Sequence, residues 1–286
     1  MDLSKIYPPR PDWVHKGNYG SLLVVAGSKL YSGSATLAGV SAYRAGCDLV
    51  TVCAPMRAAD VASHALVDLM TLPLKGDRIT TRHVADILDV AHLRRINAVV
   101  LGCGLGRHVD TFAAIHKLIR RLSVPMVLDA DALSAIATRP DVVFGKHVVL
   151  TPHAGELAIL LNQKLGATEG KQEQMSDFDW RVEAAKQAAR KYRAVVLLKG
   201  HVDIICDGET MITNNTGSPL MTKGGFGDTL SGIVGALLAR GVGIFEAAYA
   251  AAYINGKAGE MAAGEKVEGV VASDIFEFIP KVIANK

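Results

Sequence analysis

With 286 residues, half of them apolar, the chain can fill one sizeable hydrophobic core. Its 31 basic and 28 acidic residues leave a formal charge of +3, with no long basic run and few aromatics, so nothing in the composition requires a nucleic-acid partner; a small positive excess suits an anionic small molecule. The amino terminus has no apolar signal core, later apolar stretches are broken by Gly, Arg, Asn or Lys, and Cys47, Cys53, Cys103 and Cys206 form no CxxC pair, so the expectation is a cytoplasmic protein without membrane spans and with buried free thiols.

In chain order, short apolar runs ending in glycine, aspartate or proline predict strands over Ser21–Ala26, Leu49–Ala54, Ala98–Leu101, Pro125–Leu128, His147–Leu150, Ala194–Leu198 and Val202–Cys206. Most of these runs are continuous rather than alternating, as parallel strands covered on both faces require. Alanine-rich helical segments lie between them at Ser34–Ala45, Asp110–Leu122, Asp131–Ala137 and Trp180–Lys191, and the polar stretch Asn162–Asp177 reads as a surface loop. Further on, Leu230, Ile233, Val234, Leu237 and Leu238 recur at helical spacing from Phe226 to Arg240. A second helix follows from Phe245 to about Ala262, and a last one spans Ser273–Ile283, capped by Ser273 and shortened by Pro280. Alternating strand and helix signals without a linker predict a single layered α/β/α domain over residues 1–286.

Three glycine-bearing turns follow predicted strands. AGSKLYSGSA carries Gly27, Ser28, Gly33 and Ser34, and LGCGLGR carries Gly102, Gly104 and Gly106. The second is mis-spaced for a dinucleotide fingerprint, and no stretch supplies a Walker A sequence. In MTKGGFGD, Gly224, Gly225 and Gly227 can present backbone N–H groups at the positive end of the following helix, forming an anion nest. Asp228 then falls in the first helical turn. It reads either as an acid favoured by the helix end or as a general base that deprotonates a hydroxyl attacking a phosphoryl group; the surrounding glycines favour the second.

Other candidates gather at strand ends. Lys199 and Gly200 follow Ala194–Leu198, and Lys223 lies beside the nest; each lysine reads equally as a solvated side chain or a phosphate ligand. His153 and Glu156 suit either a helix cap or substrate contact, and Asp129 and Asp131 either cap a helix or orient ribose, water or a cation.

YSGSA at 31–35, GCGLG at 102–106, VLDADAL at 127–133, LTPHAGEL at 150–157, VVLLKG at 195–200, NNTGSPLMTKGGFGDTLSG at 214–232 and VVASD at 270–274, in that order, resemble the NAD(P)H-hydrate dehydratase family. The resemblance implies a ribokinase-like three-layer fold around a central, mainly parallel sheet. It also implies ADP- or ATP-dependent dehydration of the S form of hydrated NADH and NADPH, with Mg2+ bridged by the nucleotide phosphates and no protein ligand assigned to it. Carried over residue by residue, it implies that Ser34, Gly106 and His153 face the hydrate, and that Asp228 is the catalytic base. Lys199, Gly200, His201, Val202, Asp203 and Gly227 would face the nucleotide, with Asn215, Lys223, Glu156 and Asp129 in support. Lys223 and Phe226 stand where the family commonly has threonine, so Lys223 is expected to add positive charge and Phe226 to alter nucleotide selection or turn mobility. A homo-oligomer, with a tetramer among its forms, and a separate NAD(P)H-hydrate epimerase complete what the resemblance implies. The alternatives are a ribokinase-like small-molecule kinase that makes a stable phosphate ester and a nucleotide-binding protein without turnover.

Overall fold

The computed structural model describes residues 1–163 and 176–285. Its strands are β1 (Ser21–Val25), β2 (Leu49–Pro55), β3 (Met70–Leu74), β4 (Ala98–Leu101), β5 (Met126–Leu128), β6 (Val148–Leu150), β7 (Val195–Leu198), β8 (Asp203–Cys206) and β9 (Met211–Asn214). They form one sheet in the order β3-β2-β1-β4-β5-β6-β7-β8-β9. Every pairing from β3 through β7 is parallel, whereas β7–β8 and β8–β9 are antiparallel. The reversal at β8 follows from chain length: residues 199–202 are too few for a crossover, so the chain can only turn straight back.

Helices α1 (Ser34–Arg44), α2 (Met56–Ala65), α3 (Val84–Leu93), α4 (Val109–Arg121), α5 (Asp131–Thr138), α6 (Ala154–Leu161) and α7 (Phe178–Tyr192) alternate with the strands, and α8 (Phe226–Ala239), α9 (Ile244–Lys266) and α10 (Phe278–Ala284) follow. Within each central strand, neighbouring residues enter opposite cores. Leu22, Val24, Val52, Val100 and Val127 pack with α1, α2, α8, α9 and α10, while Leu23, Val25, Val99, Leu101 and Leu128 pack with α3 to α7. Both faces are thus apolar, which explains the continuous rather than alternating runs. No described helix is long and apolar enough to cross a membrane, and all four cysteines are free and buried.

The sequence expectations omit β3, β9, α2 and α3. The two strands are the sheet edges, part-exposed and lacking an apolar run, and β3 carries Pro73, which an edge strand tolerates. The last helix is corrected: Ala272–Glu277 forms a 3-10 turn that contains Ser273, and α10 begins only at Phe278. Pro280 stands in its first turn, where no intrahelical donor is needed, so it starts the helix rather than shortening it. The expected loop Asn162–Asp177 falls, over 164–175, outside the described residues.

α8 lies against α1 so closely that a Cβ added at Gly232 would overlap the carbonyl of Ala38. Gly264, exposed in α9, has nothing within 4 Å of an added Cβ. Gly232→Ala is therefore expected to lower stability by about 2 kcal/mol or more, while Gly264→Ala raises it by about 0.5 kcal/mol through helix propensity. Urea unfolding of the two variants checks both signs.

Candidate active site

The carboxyl ends of β1, β4, β5, β6 and β7 lie side by side, and the turn after each supplies one part of a single pocket. β1 and β4 are sheet neighbours where the strand order reverses, the usual ligand crevice of an open α/β sheet. Ser34 opens α1 after β1, Cys103 follows β4, Asp129 follows β5, Thr151 and His153 follow β6, and Lys199 follows β7. Gly102 takes φ +131°, and a Cβ there would overlap the carbonyl of Asp129, so only glycine lets the β4 and β5 turns touch. α8 enters with its amino terminus toward the same point: a Cβ on Gly227 would lie 3.3 Å from Lys199 Nζ and 3.8 Å from Asp129 Oδ2.

Charge in this pocket is centred on Asp129, which is 2% exposed. Its Oδ1 accepts hydrogen bonds from the Thr151 hydroxyl at 2.8 Å and from Lys199 Nζ at 3.0 Å, while Cys103 Sγ lies 3.7 Å from Oδ2, between this carboxylate and Asp228. Lys199 Nζ also lies 3.7 Å from the buried carboxylate of Glu156. Enclosure alone would favour the neutral amine, but the charges of Asp129 and Glu156 outweigh it and hold the ammonium above its ordinary range. The Cys103 thiol is pushed up by burial and by the negative charges of Asp228 and Asp129, so it stays protonated.

Asp228, in the first turn of α8, is pushed up to about 7, first by enclosure and then by the charge of Asp129. Hydrogen bonds from the Ser34 hydroxyl and the Cys103 thiol, together with Lys199, pull the other way. A carboxyl group that titrates near neutrality and accepts a hydrogen bond from a hydroxyl is suited to take a proton.

The glycine turn before α8 lies beside this centre. Gly225 adopts φ +103° as the residue before α8, and among the described residues no protein acceptor engages the N–H groups of Gly224 through Asp228. Lys223 does not face this space: its ammonium donates to the carbonyls of Glu268 and Val270, tying the loop to the turn after α9. The Phe226 ring is buried with the α1–α8 core, where an aromatic side chain is better placed than among polar turns.

The remaining candidates divide. His153 caps α6, its Nδ1 accepting from the N–H groups of Gly155 and Glu156, while Glu156 Oε2 accepts from the His153 N–H at 2.9 Å. Enclosure and nearby Lys199 lower the imidazole pKa against the charge of Glu156. Gly106 N–H donates to Asp131 at 2.7 Å, and Arg107 pairs with the same carboxylate. Between Asp129 and Asp131, Ala130 adopts φ +49° and ψ −112°, a costly conformation for a residue with a Cβ. In the turn after β7, the Asp203 carboxylate accepts from Gly200 N–H and from Asn214 Nδ2, each at 3.0 Å, and enclosure raises its pKa. His201 is exposed and Val202 half-buried. Asn215 is exposed, and the neighbouring Asn214 is the buried, bonded amide. Sequence reasoning missed Thr151 and the site position of Cys103; both lie within motifs already singled out, one residue after a strand and between two turn glycines.

Cys103 Sγ and one oxygen each of Asp129 and Asp228 lie within 4.8 Å of one another. A protonated thiol is a poor partner for a hard cation, and Lys199 and Thr151 already engage Asp129. The donor set therefore fits Mg2+ only as an ion that arrives on phosphates and keeps its waters, not one caged by side chains.

A sequence profile described as NAD(P)H-hydrate dehydratase matches residues 22–281. The bifunctional NAD(P)H-hydrate repair enzyme Nnr of Pyrobaculum aerophilum is 41% identical over 94% of this chain, which spans only 51% of that protein; the chain thus covers about half the length of several curated relatives it matches. The ADP-dependent (S)-NAD(P)H-hydrate dehydratase of Cenarchaeum symbiosum is 35% identical, with 99% of this chain and 94% of that protein aligned. Among solved structures, the ADP/ATP-dependent NAD(P)H-hydrate dehydratase of Bacillus subtilis, co-crystallised with ATP and Mg2+, superposes with a TM-score of 0.80 at 27% identity, covering 98% of this chain and 96% of that one. The α/β/α fold is ribokinase-like. With the profile running from β1 into α10 and near-full-length relatives above a third identity, the chain belongs to the NAD(P)H-hydrate dehydratase family.

Proposed function

We propose that this chain dehydrates the S form of hydrated NADH and NADPH using ADP or ATP, releasing phosphate and AMP or ADP and so repairing the nicotinamide nucleotide. The observation that carries the reading is the juxtaposition of Asp228, a carboxyl titrating near 7, with the unengaged amides of the α8 amino terminus and the Lys199 ammonium. A base and an anion site in one enclosed pocket are what phosphoryl transfer to a hydroxyl needs.

In this reading Asp228 takes the proton of the ring hydroxyl as its oxygen attacks the terminal phosphorus and the shortened nucleotide departs. The carbon–oxygen bond then breaks, phosphate leaving with the bonding pair while a proton is lost from the adjacent ring carbon, which restores the conjugated dihydronicotinamide. Hydroxide is a poor leaving group and phosphate a good one, which gives the nucleotide its purpose. The α8 amides and Lys199 hold the transferred group, and Ser34, Gly106 and His153 line the hydrate side. Lys199 through Asp203, with Gly227, receive the nucleotide, whose phosphates bring Mg2+ to neutralise developing charge. The names of the Cenarchaeum and Bacillus relatives support the substrate, co-substrate and ion. The proposal extends to one domain over 1–286, supported by the single nine-stranded sheet, to a homo-oligomer, and to supply of the S form by a separate epimerase.

Incubation with hydrated NADH, Mg2+ and either nucleotide should restore the near-ultraviolet absorbance of reduced nicotinamide and release phosphate stoichiometrically. A stable phosphate ester would identify a kinase instead, and no turnover with either nucleotide would sink the dehydratase reading. Asp228→Asn should lower kcat by about 10²–10⁴-fold, with nucleotide affinity within a few-fold.

Because Asp228 must be ionised to act as base, kcat should fall as pH drops through about 7. Asp129→Asn removes the neighbouring negative charge, so this acid limb should move to lower pH; an unmoved limb would remove Asp129 from that role. Stability carries the opposite sign. The folded-state pKa of Asp228 is raised from 3.8 to about 7, so ionising it opposes folding, and stability is lost as pH rises between those values. Asp228→Asn should therefore melt above the wild type at pH above about 7, read by thermal scans across pH.

A further inference from the structure

Arg181, on α7, is 8% exposed, and among the described residues no carboxylate pairs with it; Asp203 acts on it only at longer range. Its Nη2 donates to the carbonyl of Lys199 at 3.2 Å and to that of Val202 at 2.9 Å, while its Nε is buried with no partner among the described residues. The guanidinium lies flat against Gly200, where a Cβ would overlap it. From the other side, the Asp203 carboxylate holds the Gly200 N–H. Burying an arginine without a counter-carboxylate is costly, and a surface turn of ordinary function has no need of it.

We propose that Arg181 is the positioning residue that sets the nucleotide-binding shape of the 199–203 turn, by holding the carbonyls of Lys199 and Val202 around a glycine whose Cβ would overlap its guanidinium. This rests on the reading of that turn as the nucleotide side of the site. Arg181 reaches neither Asp228 nor the α8 nest, so it governs nucleotide affinity and leaves the chemical step alone. Gly200 follows from the same contact: it is the residue that makes room for the guanidinium, and its importance depends on Arg181 being present.

The test is calorimetric titration of the full chain with ADP and with ATP plus Mg2+, alongside steady-state kinetics, for wild type, R181M, R181K, G200A and R181M combined with G200A. R181M is expected to raise Kd and KM for nucleotide about tenfold or more, with kcat at saturation and the pH profile within about threefold of wild type. R181K should recover part of the affinity. G200A should weaken binding in the Arg181 background and add little to R181M, a non-additivity that a general loss of stability would not produce. If R181M does not fold, R181K and G200A carry the test. Unchanged Kd in folded variants, or loss confined to kcat, overturns the role of Arg181. Failure of the wild type itself to bind either nucleotide overturns the assignment of the turn, and the role of Arg181 falls with it.

Discussion

The Lys199–Asp129 ion pair, at 3.0 Å and largely buried, is the centre on which the neighbouring Asp228, Cys103 and Glu156 converge. Its partners come from the ends of β5 and β7, separated by β6, whose own turn contributes Thr151 to the carboxylate and leads to Glu156, near the ammonium. The pair can close only if these three strands lie in this order, which makes it a product of the fold as much as of its chemistry. Removing one partner of such a pair strands a buried charge, a loss of about 3–5 kcal/mol. Its electrical effect is a division of labour between two carboxyl groups. Asp129 bonds to an ammonium and a hydroxyl, while Asp228 is held protonated until near neutrality, first by its enclosure and then by the charge of Asp129.

Much of this fold could be read from the chain because central strands buried on both faces leave unbroken apolar runs. The edges could not. Met70–Leu74 and Met211–Asn214 are half solvated, so their patterns blend with loops. Direction was also hidden in Asp203–Cys206, where four intervening residues settle an antiparallel return that apolar content does not encode. Near the carboxyl end, Ser273 has the chemistry of a cap but lies within a 3-10 turn, because the following α10 starts at Phe278.

For the site, local sequence was enough to single out Asp228, Lys199, Asp129, Glu156 and His153, since each follows a strand or opens a helix. What it could not supply was their convergence. Lys199 and Asp129 are 70 positions apart, and only the sheet order brings them into contact. The same blindness affects side-chain direction. From sequence Lys223 reads equally as a solvated side chain or a phosphate ligand, whereas its ammonium engages carbonyls of the turn after α9; of the adjacent asparagines it is Asn214, not Asn215, that carries the bonds. Arg181 gave no signal, since a lone arginine in a helical stretch reads as a solvated face.

Ala130 occupies an uncomfortable backbone conformation between two aspartates whose carboxylates go in different directions. Asp129 turns inward to the ammonium and hydroxyl, while Asp131 turns to the amide of Gly106 and to Arg107. On an ordinary strand, residues two apart share a face, and both charges would crowd one cation. The kink works instead as a railway junction, sending two like charges down separate tracks: one meets the Lys199 ammonium and the Thr151 hydroxyl, and the other braces the glycine turn after β4. The local strain is thus confined to a single alanine, and it keeps apart two carboxylates that stand only two residues from one another.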